Sequence, residues 1–83
     1  MDLKTWRIEQ DWNYTEAAEF AGLSNGKAWA RYETGERYPR PDFMAKLERL
    51  TSGKVTASDM LKTRRAWEKT RAQRRADKAK ADA

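Results

Sequence analysis

The amino-acid sequence predicts an all-α fold, a compact five-helix domain with a basic helical extension at its C-terminal end. Apolar residues recur at spacings of three and four along most of the chain, and no segment alternates as a half-buried strand does. Residues typical of helix N-termini precede these segments, and glycines follow several of them. The length of 83 residues suits one small core.

The first two helices are predicted from their capping residues. Asp2 is suited to cap a helix over residues 3–10. Asn13 and Glu16 have the spacing of a capping box, in which each side chain accepts a hydrogen bond from the backbone of the other residue. This box opens a short second helix, and Gly22 ends it where a left-handed residue is needed.

The third helix follows after a tight turn. Ser24 or Asn25 caps it, it runs to about Thr34, and Gly35 closes it. We expect Trp29 to turn inward and contribute to the core, because it shares the inward helical spacing.

Two more helices complete the prediction. A fourth helix begins near Pro41, since proline is favoured in the first helical turn. Thr56 and Asp59 form a second capping box. The box opens a fifth helix that continues from Ala57 through Trp67 and beyond.

The composition excludes several classes of protein. The chain has no cysteine and no histidine, so disulfide frameworks, Cys/His zinc sites and catalytic triads that need either residue are excluded. No apolar run exceeds three residues, so neither a membrane span nor a signal-peptide core is expected. The 13 carboxylates form no pattern with a base, a metal-ligand set or a phosphate-cradling loop. We therefore expect no enzyme activity, no cofactor and no metal.

The positive charge is concentrated at one end of the chain. The formal net charge is +5, but residues 1–59 carry nine Lys/Arg and ten Asp/Glu, whereas residues 60–83 carry nine and three. A basic balance makes nucleic acid the first partner to consider. Specific binding by the first 59 residues must rest on local pattern, because that part is close to neutral.

The second and third helices have the pattern of a helix-turn-helix. Ala17 and Ala18 are small enough for close helix packing, and Leu23 in the turn can fill the core. A third helix of this kind can enter the major groove, which is about 12 Å wide, and read base edges. Its exposed face is predicted to carry Asn25, Gly26, Lys27, Ala28, Ala30 and Arg31.

An ordered set of residues carries a family resemblance. The set consists of Arg7, Ala18, Gly22-Leu23-Ser24, the segment Tyr32-Glu33-Thr34-Gly35-Glu36-Arg37 with the proline after it, and residues 51–60. From residue 3 to about residue 61 the chain resembles the Cro and repressor family of phage helix-turn-helix regulators. The resemblance implies a DNA-binding transcriptional repressor of a phage or mobile element, located in the bacterial cytoplasm or nucleoid. It would bind double-stranded DNA at an inverted repeat as a homodimer, with its third helix in the major groove.

The resemblance also implies roles for individual residues. By this resemblance, the residues that read bases are Asn25, Lys27, Ala28 and Arg31. The residues that contact phosphates are Tyr14, Arg37 and Arg40. Arg7 and Glu33 correspond to a structural ion pair of the family. Several alternatives stay open, namely solvated charges for Lys27 and Arg31, a cap role for Asn25, and a solvated pair or an Arg7 phosphate contact in place of the ion pair. The chain departs from the family at Tyr14, where a glutamine is frequent, and by one extra residue before Glu33.

The basic C-terminal segment has three possible roles. We divide the chain into a domain over residues 1–67 and a tail over residues 68–83, with basic residues Arg64, Arg65, Arg71, Arg74 and Arg75 in and before the tail. The segment is a solvated helix, binds phosphates without sequence preference, or contacts a protein partner or second protomer. The last role corresponds to an antitoxin-type autorepressor. A lipid-facing helix is set aside because no broad apolar face exists. Met60 and Trp67 have heptad spacing and weakly indicate a coiled-coil dimer, but two positions do not make a seam.

Overall fold

Five helices form within residues 1–82, whose backbone is described by a computed structural model together with the side chains through residue 78. None of these residues lies in a strand, which confirms the all-α prediction. Position 83 of the predicted tail lies outside the described residues. The helices are α1 (Leu3–Glu9), α2 (Tyr14–Ala21), α3 (Gly26–Thr34), α4 (Pro41–Leu50) and α5 (Ala57–Asp82).

The predicted capping residues begin the first two helices. The Asp2 carboxylate accepts a hydrogen bond from the Thr5 N–H at 2.7 Å. At the start of α2, the Glu16 N–H donates to Asn13 Oδ1 at 2.8 Å and the Asn13 N–H donates to Glu16 Oε1 at 3.1 Å. Gly22 ends α2 with a φ of 74°. Both helices therefore begin where the sequence predicts.

The caps of α3 and α5 also match the sequence pattern. Asn25 caps α3, because its Oδ1 accepts from the Ala28 N–H at 3.0 Å. At the start of α5, the Thr56 N–H donates to Asp59 Oδ2 at 2.9 Å, and the Asp59 N–H donates to Thr56 Oγ1 at 3.2 Å. The second capping box is confirmed, and the choice between Ser24 and Asn25 falls on Asn25.

The core lies where all five helices meet. Trp29 is 1% exposed, and its indole ring lies 6.2 Å from that of Trp6. Tyr32 is half-buried and stacks on Phe43 with ring centroids 5.0 Å apart. The fully buried apolar side chains include Leu3, Ala17, Ala18, Ala21, Leu47 and Val55.

Met60 belongs to this core. It is only 2% exposed. Because Met60 is buried inside its own protomer, its side chain is not available to a coiled-coil seam with Trp67.

The fifth helix leaves the domain without a break. It is continuous across Trp67, and the described residues from 68 to 78 are all exposed. The radius of gyration is 14.5 Å, against about 12 Å for a compact domain of this length. This excess and a longest dimension of 48 Å reflect the projecting part of α5.

Gly35 is the point where α5 crosses the end of α3. A Cβ atom built on Gly35 would lie 2.6 Å from the Thr63 carbonyl oxygen and 3.0 Å from Trp67 Cβ. Gly35 also has a φ of 92°, which L side chains rarely adopt. Only glycine allows the two helices to approach this closely.

Candidate functional site

Arg7 and Glu33 form a two-pronged ion pair between α1 and α3. Arg7 Nε donates to Glu33 Oε2 at 2.8 Å, and Arg7 Nη2 donates to Oε1 at 2.9 Å. The two side chains are 13% and 4% exposed. The hydrogen bonds to Glu33 raise the pKa of Arg7 above its ordinary value. The carboxylate of α3 is thus directed into the protein and neutralised there.

The same guanidinium holds the beginning of α2. Its Nη1 donates to the Trp12 carbonyl oxygen at 2.8 Å. Its central carbon lies 4.5 Å from the centre of the Tyr14 ring, a cation–π distance. Tyr14 is 44% exposed. Arg7 therefore fixes Tyr14, at the start of α2, relative to α3.

The opposite side of α3 is polar and exposed. Lys27, Arg31 and Thr34 are exposed and follow the i, i+4, i+7 spacing of one helical face. Ala28 is half-buried, and its N–H is used by the cap of α3. Among the residues assigned to base readout, Lys27 and Arg31 are thus the long exposed side chains of this face.

Three shallow depressions run along the exposed side of α3 and share residues. The first is shared by the starts of α2 and α3, the second follows α3, and the third lies between the end of α3 and α5. Lys27 and Ala30 line both the first and the second, and Thr34 lines both the second and the third. The first two are lined by Tyr14, Thr15, Asn25, Gly26, Lys27 and Ala30, and by Lys27, Ala30, Arg31, Thr34 and Glu36. Four residues predicted from the sequence, Tyr14, Asn25, Lys27 and Arg31, therefore lie along one continuous surface.

Two predicted phosphate contacts lie elsewhere. Arg37 and Arg40 are exposed in the segment between α3 and α4 and line none of these three depressions. The Arg37 N–H donates to the Arg31 carbonyl oxygen at 3.1 Å, which keeps Arg37 near the end of α3. Arg40 directly precedes Pro41 as the N-cap residue of α4.

Arg64 has a structural role that its place among the basic tail residues did not predict. Its Nη1 donates to the carbonyl oxygens of Gly35 at 3.1 Å and Glu36 at 2.7 Å. Its Nε pairs with Glu68 at 2.8 Å. Arg64 therefore binds α5 to the end of α3, where helix carbonyls lack backbone partners. By contrast, Arg65, Arg71, Arg74 and Arg75 are exposed.

Sequence reasoning missed three hydroxyl-bearing residues of this surface. Thr34 could have been found, because it continues the spacing of Lys27 and Arg31 by one further turn. Thr15 and Thr70 gave no local signal. Their positions depend on how α2 packs against α3 and on how α5 crosses Gly35.

Comparison with known proteins adds no assignment. No protein-family model matches the chain, and no curated protein or solved structure matches it significantly. Within the described part of the chain, no helix combines the length and the apolar character needed to cross a membrane.

Proposed function

We propose that this protein is a sequence-specific DNA-binding regulator of transcription that inserts α3 into the major groove of duplex DNA. The observation that carries the proposal is the division of α3 into two faces. Trp29 and Glu33 are buried, while Lys27 and Arg31 lie on a continuous exposed surface. A helix anchored on one face and cationic on the other suits the major groove.

The arrangement of α2 and α3 supports the same proposal. The three alanines of α2 are at most 1% exposed, and α2 packs against α3. Gly22, in the left-handed conformation, turns the chain between them. Together with the resemblance drawn from the sequence, this packing favours a Cro-like helix-turn-helix unit.

The polar side chains have separate roles in the proposal. Arg31 reads base edges, because its planar guanidinium can donate to both acceptors of a guanine. Tyr14 and Arg37 contact phosphates and set the register of the helix on the duplex. The buried carboxylate of Glu33 matters here as well, since Arg7 neutralises a charge that would otherwise repel the phosphates.

We infer repression from this mode of binding, since a protein that covers the polymerase-binding part of a promoter keeps RNA polymerase from that DNA. A homodimer on an inverted repeat would place the half-sites about 10 bp apart or at a multiple of that distance.

The test is selection of bound duplexes from a random pool, followed by affinity measurements on the recovered sequence. We expect the wild type to prefer one sequence over random duplex at about 150 mM salt. Arg31→Ala should reduce that preference, whereas Arg37→Ala should weaken binding to every duplex alike. A wild-type protein that binds all duplexes equally at this salt concentration refutes the proposal.

A further inference from the structure

The third depression, between the end of α3 and α5, is named here the α3–α5 groove. It is lined by Thr34, Ala66, Trp67, Thr70, Arg71 and Arg74. Thr34 also lines the depression that contains Lys27 and Arg31. The groove therefore continues the exposed surface of α3 onto α5.

The orientation of α5 at the groove is fixed by close contacts. Thr63 and Trp67 lie against Gly35, where no Cβ atom would fit. Arg64 donates to two carbonyl oxygens at the end of α3. The rotation of α5 about its axis is thereby set at the position where the helix leaves the domain.

One basic side of α5 faces the groove. At about 100° per residue, Arg71 and Arg74 lie within about 40° of Trp67 around the helix, whereas Arg65 and Lys69 lie about 160° away. The Arg71 guanidinium lies 5.2 Å from the Trp67 ring centre, where a cation–π contact holds its position. Although basic residues surround α5, only some of them face the surface that α3 exposes.

We propose that the α3–α5 groove binds the sugar-phosphate backbone of the duplex whose major groove receives α3. This inference rests on the proposed function. Arginine side chains and threonine hydroxyls are the donors that protein–DNA interfaces direct at phosphate oxygens. Arg71 and Arg74 supply charge. The hydroxyls of Thr34 and Thr70 donate to the carbonyl oxygens of Arg31 at 3.2 Å and Ala66 at 3.0 Å, so each must turn from its own helix to donate to a phosphate. The one carboxylate of this stretch of α5, Glu68, is paired with Arg64.

A directed contact and general attraction by a positive tail respond differently to the loss of charges. A diffuse cation cloud would lose affinity equally when any two of its charges are removed. A groove that holds one strand loses affinity only when the charges that face it are removed. The chain offers a matched control, since Arg65 and Lys69, on the opposite side of α5, carry the same charge as Arg71 and Arg74.

The experiment uses the full chain and measures affinity by fluorescence anisotropy over a series of salt concentrations. The probes are the duplex recovered by selection and a random duplex of equal length. The double variant Arg71→Ala/Arg74→Ala is compared with Arg65→Ala/Lys69→Ala, which removes the same charge from the opposite side. Arg74→Ala alone is included because the Arg71 change also uncovers Trp67. Circular dichroism verifies that each variant folds.

We expect the groove-side double variant to lose about tenfold or more in affinity for both probes. Its salt dependence, the slope of log K against log salt concentration, should fall in magnitude by about two. The opposite-side variant should change affinity less than about twofold, and Arg74→Ala alone should show about half of the slope change.

Equal losses of affinity in the two double variants would overturn the proposed contact between the α3–α5 groove and DNA. The absence of any loss in the groove-side variant would overturn it as well. Both results leave the proposed function intact. If the wild type has no sequence preference and only the groove-side variant binds DNA more weakly, the groove contacts the DNA backbone but the proposed sequence-specific function fails. A wild type that binds neither duplex overturns both.

Discussion

The indole N–H of Trp29 donates at 2.7 Å to Glu33 Oε2, the same carboxylate oxygen that accepts from Arg7 Nε. Glu33 thus receives hydrogen bonds from its own helix and from α1. Because its side chain is 4% exposed, the surrounding donors must stay in place for the charge to be tolerated.

Glu33→Gln removes the charge but keeps the shape. We expect a loss of about 3 kcal/mol in the free energy of unfolding, since the Arg7 guanidinium is left without its counter-charge in a mostly buried position. Urea denaturation measures this loss. Glu36→Gln, an exposed change three residues after Glu33 and outside the pair, should cost less than about 0.5 kcal/mol. Similar losses in both variants would contradict the central role of the Arg7–Glu33 pair.

Gly35→Ala tests the crossing of α3 and α5. Gly53 is the matched control, because it also has a positive φ, 78°, but nothing lies within 4 Å of its hypothetical Cβ. Gly53→Ala should cost only backbone strain, about 1 kcal/mol. Gly35→Ala should cost several kcal/mol because the added methyl group meets the Thr63 carbonyl. Thermal unfolding measures both, and equal costs would mean that the crossing is loose.

Two roles of Asn25, capping α3 and reading a base with its amide, can be tested separately. Asn25→Ser keeps a side-chain oxygen that caps a helix about as well as asparagine does, whereas Asn25→Ala removes the cap and should cost about 1 kcal/mol of stability. If the amide also reads a base, both variants lose sequence preference in DNA binding. If Asn25 acts only as a cap, the serine variant binds DNA like the wild type.

The stability should fall at acid pH through Asp59. The backbone N–H of Thr56 chiefly, and then the N-terminal ammonium, hold the pKa of Asp59 below its ordinary value. A carboxylate with a lowered folded-state pKa stabilises the protein above its unfolded-state pKa near about 4. That contribution disappears as the pH falls further through the folded-state pKa.

Urea midpoints measured from about pH 6 to about pH 2 should therefore drop more steeply in the wild type than in Asp59→Asn, where no proton can be taken up. Asp77→Asn, on the exposed part of α5, removes an equal charge and serves as the comparison. An identical pH profile for wild type and Asp59→Asn would show that the negative charge of Asp59 contributes nothing to stability.

The helix boundaries could be predicted from the sequence because their determinants are local. Asn13 and Glu16 lie three residues apart, and so do Thr56 and Asp59, so each capping box is visible in four residues. The left-handed glycines Gly22 and Gly35 are likewise local signals, because each ends the helix that directly precedes it.

The surface beyond α3 could not be predicted, because long-range packing determines it. Arg64 contacts the Gly35 carbonyl 29 residues earlier in the chain, and no local pattern marks such a partner. By its charge Arg64 belongs with the basic residues of the tail, although its side chain is hydrogen-bonded to the domain. The direction of Arg71 and Arg74 likewise follows from the rotation of α5 at Gly35, which depends on the folded contact.

The unbroken course of α5 through Trp67 has a consequence for changes in chain length. Each residue inserted after Trp67 turns everything beyond it by about 100° and advances it by about 1.5 Å. A single insertion before Arg71 would therefore carry both groove-side arginines to another side of the helix while charge and composition stay nearly constant. Seven inserted residues, close to two full turns, would restore their angle at a position about 10 Å farther along. The C-terminal segment is thus defined by its angular phase as much as by its charge.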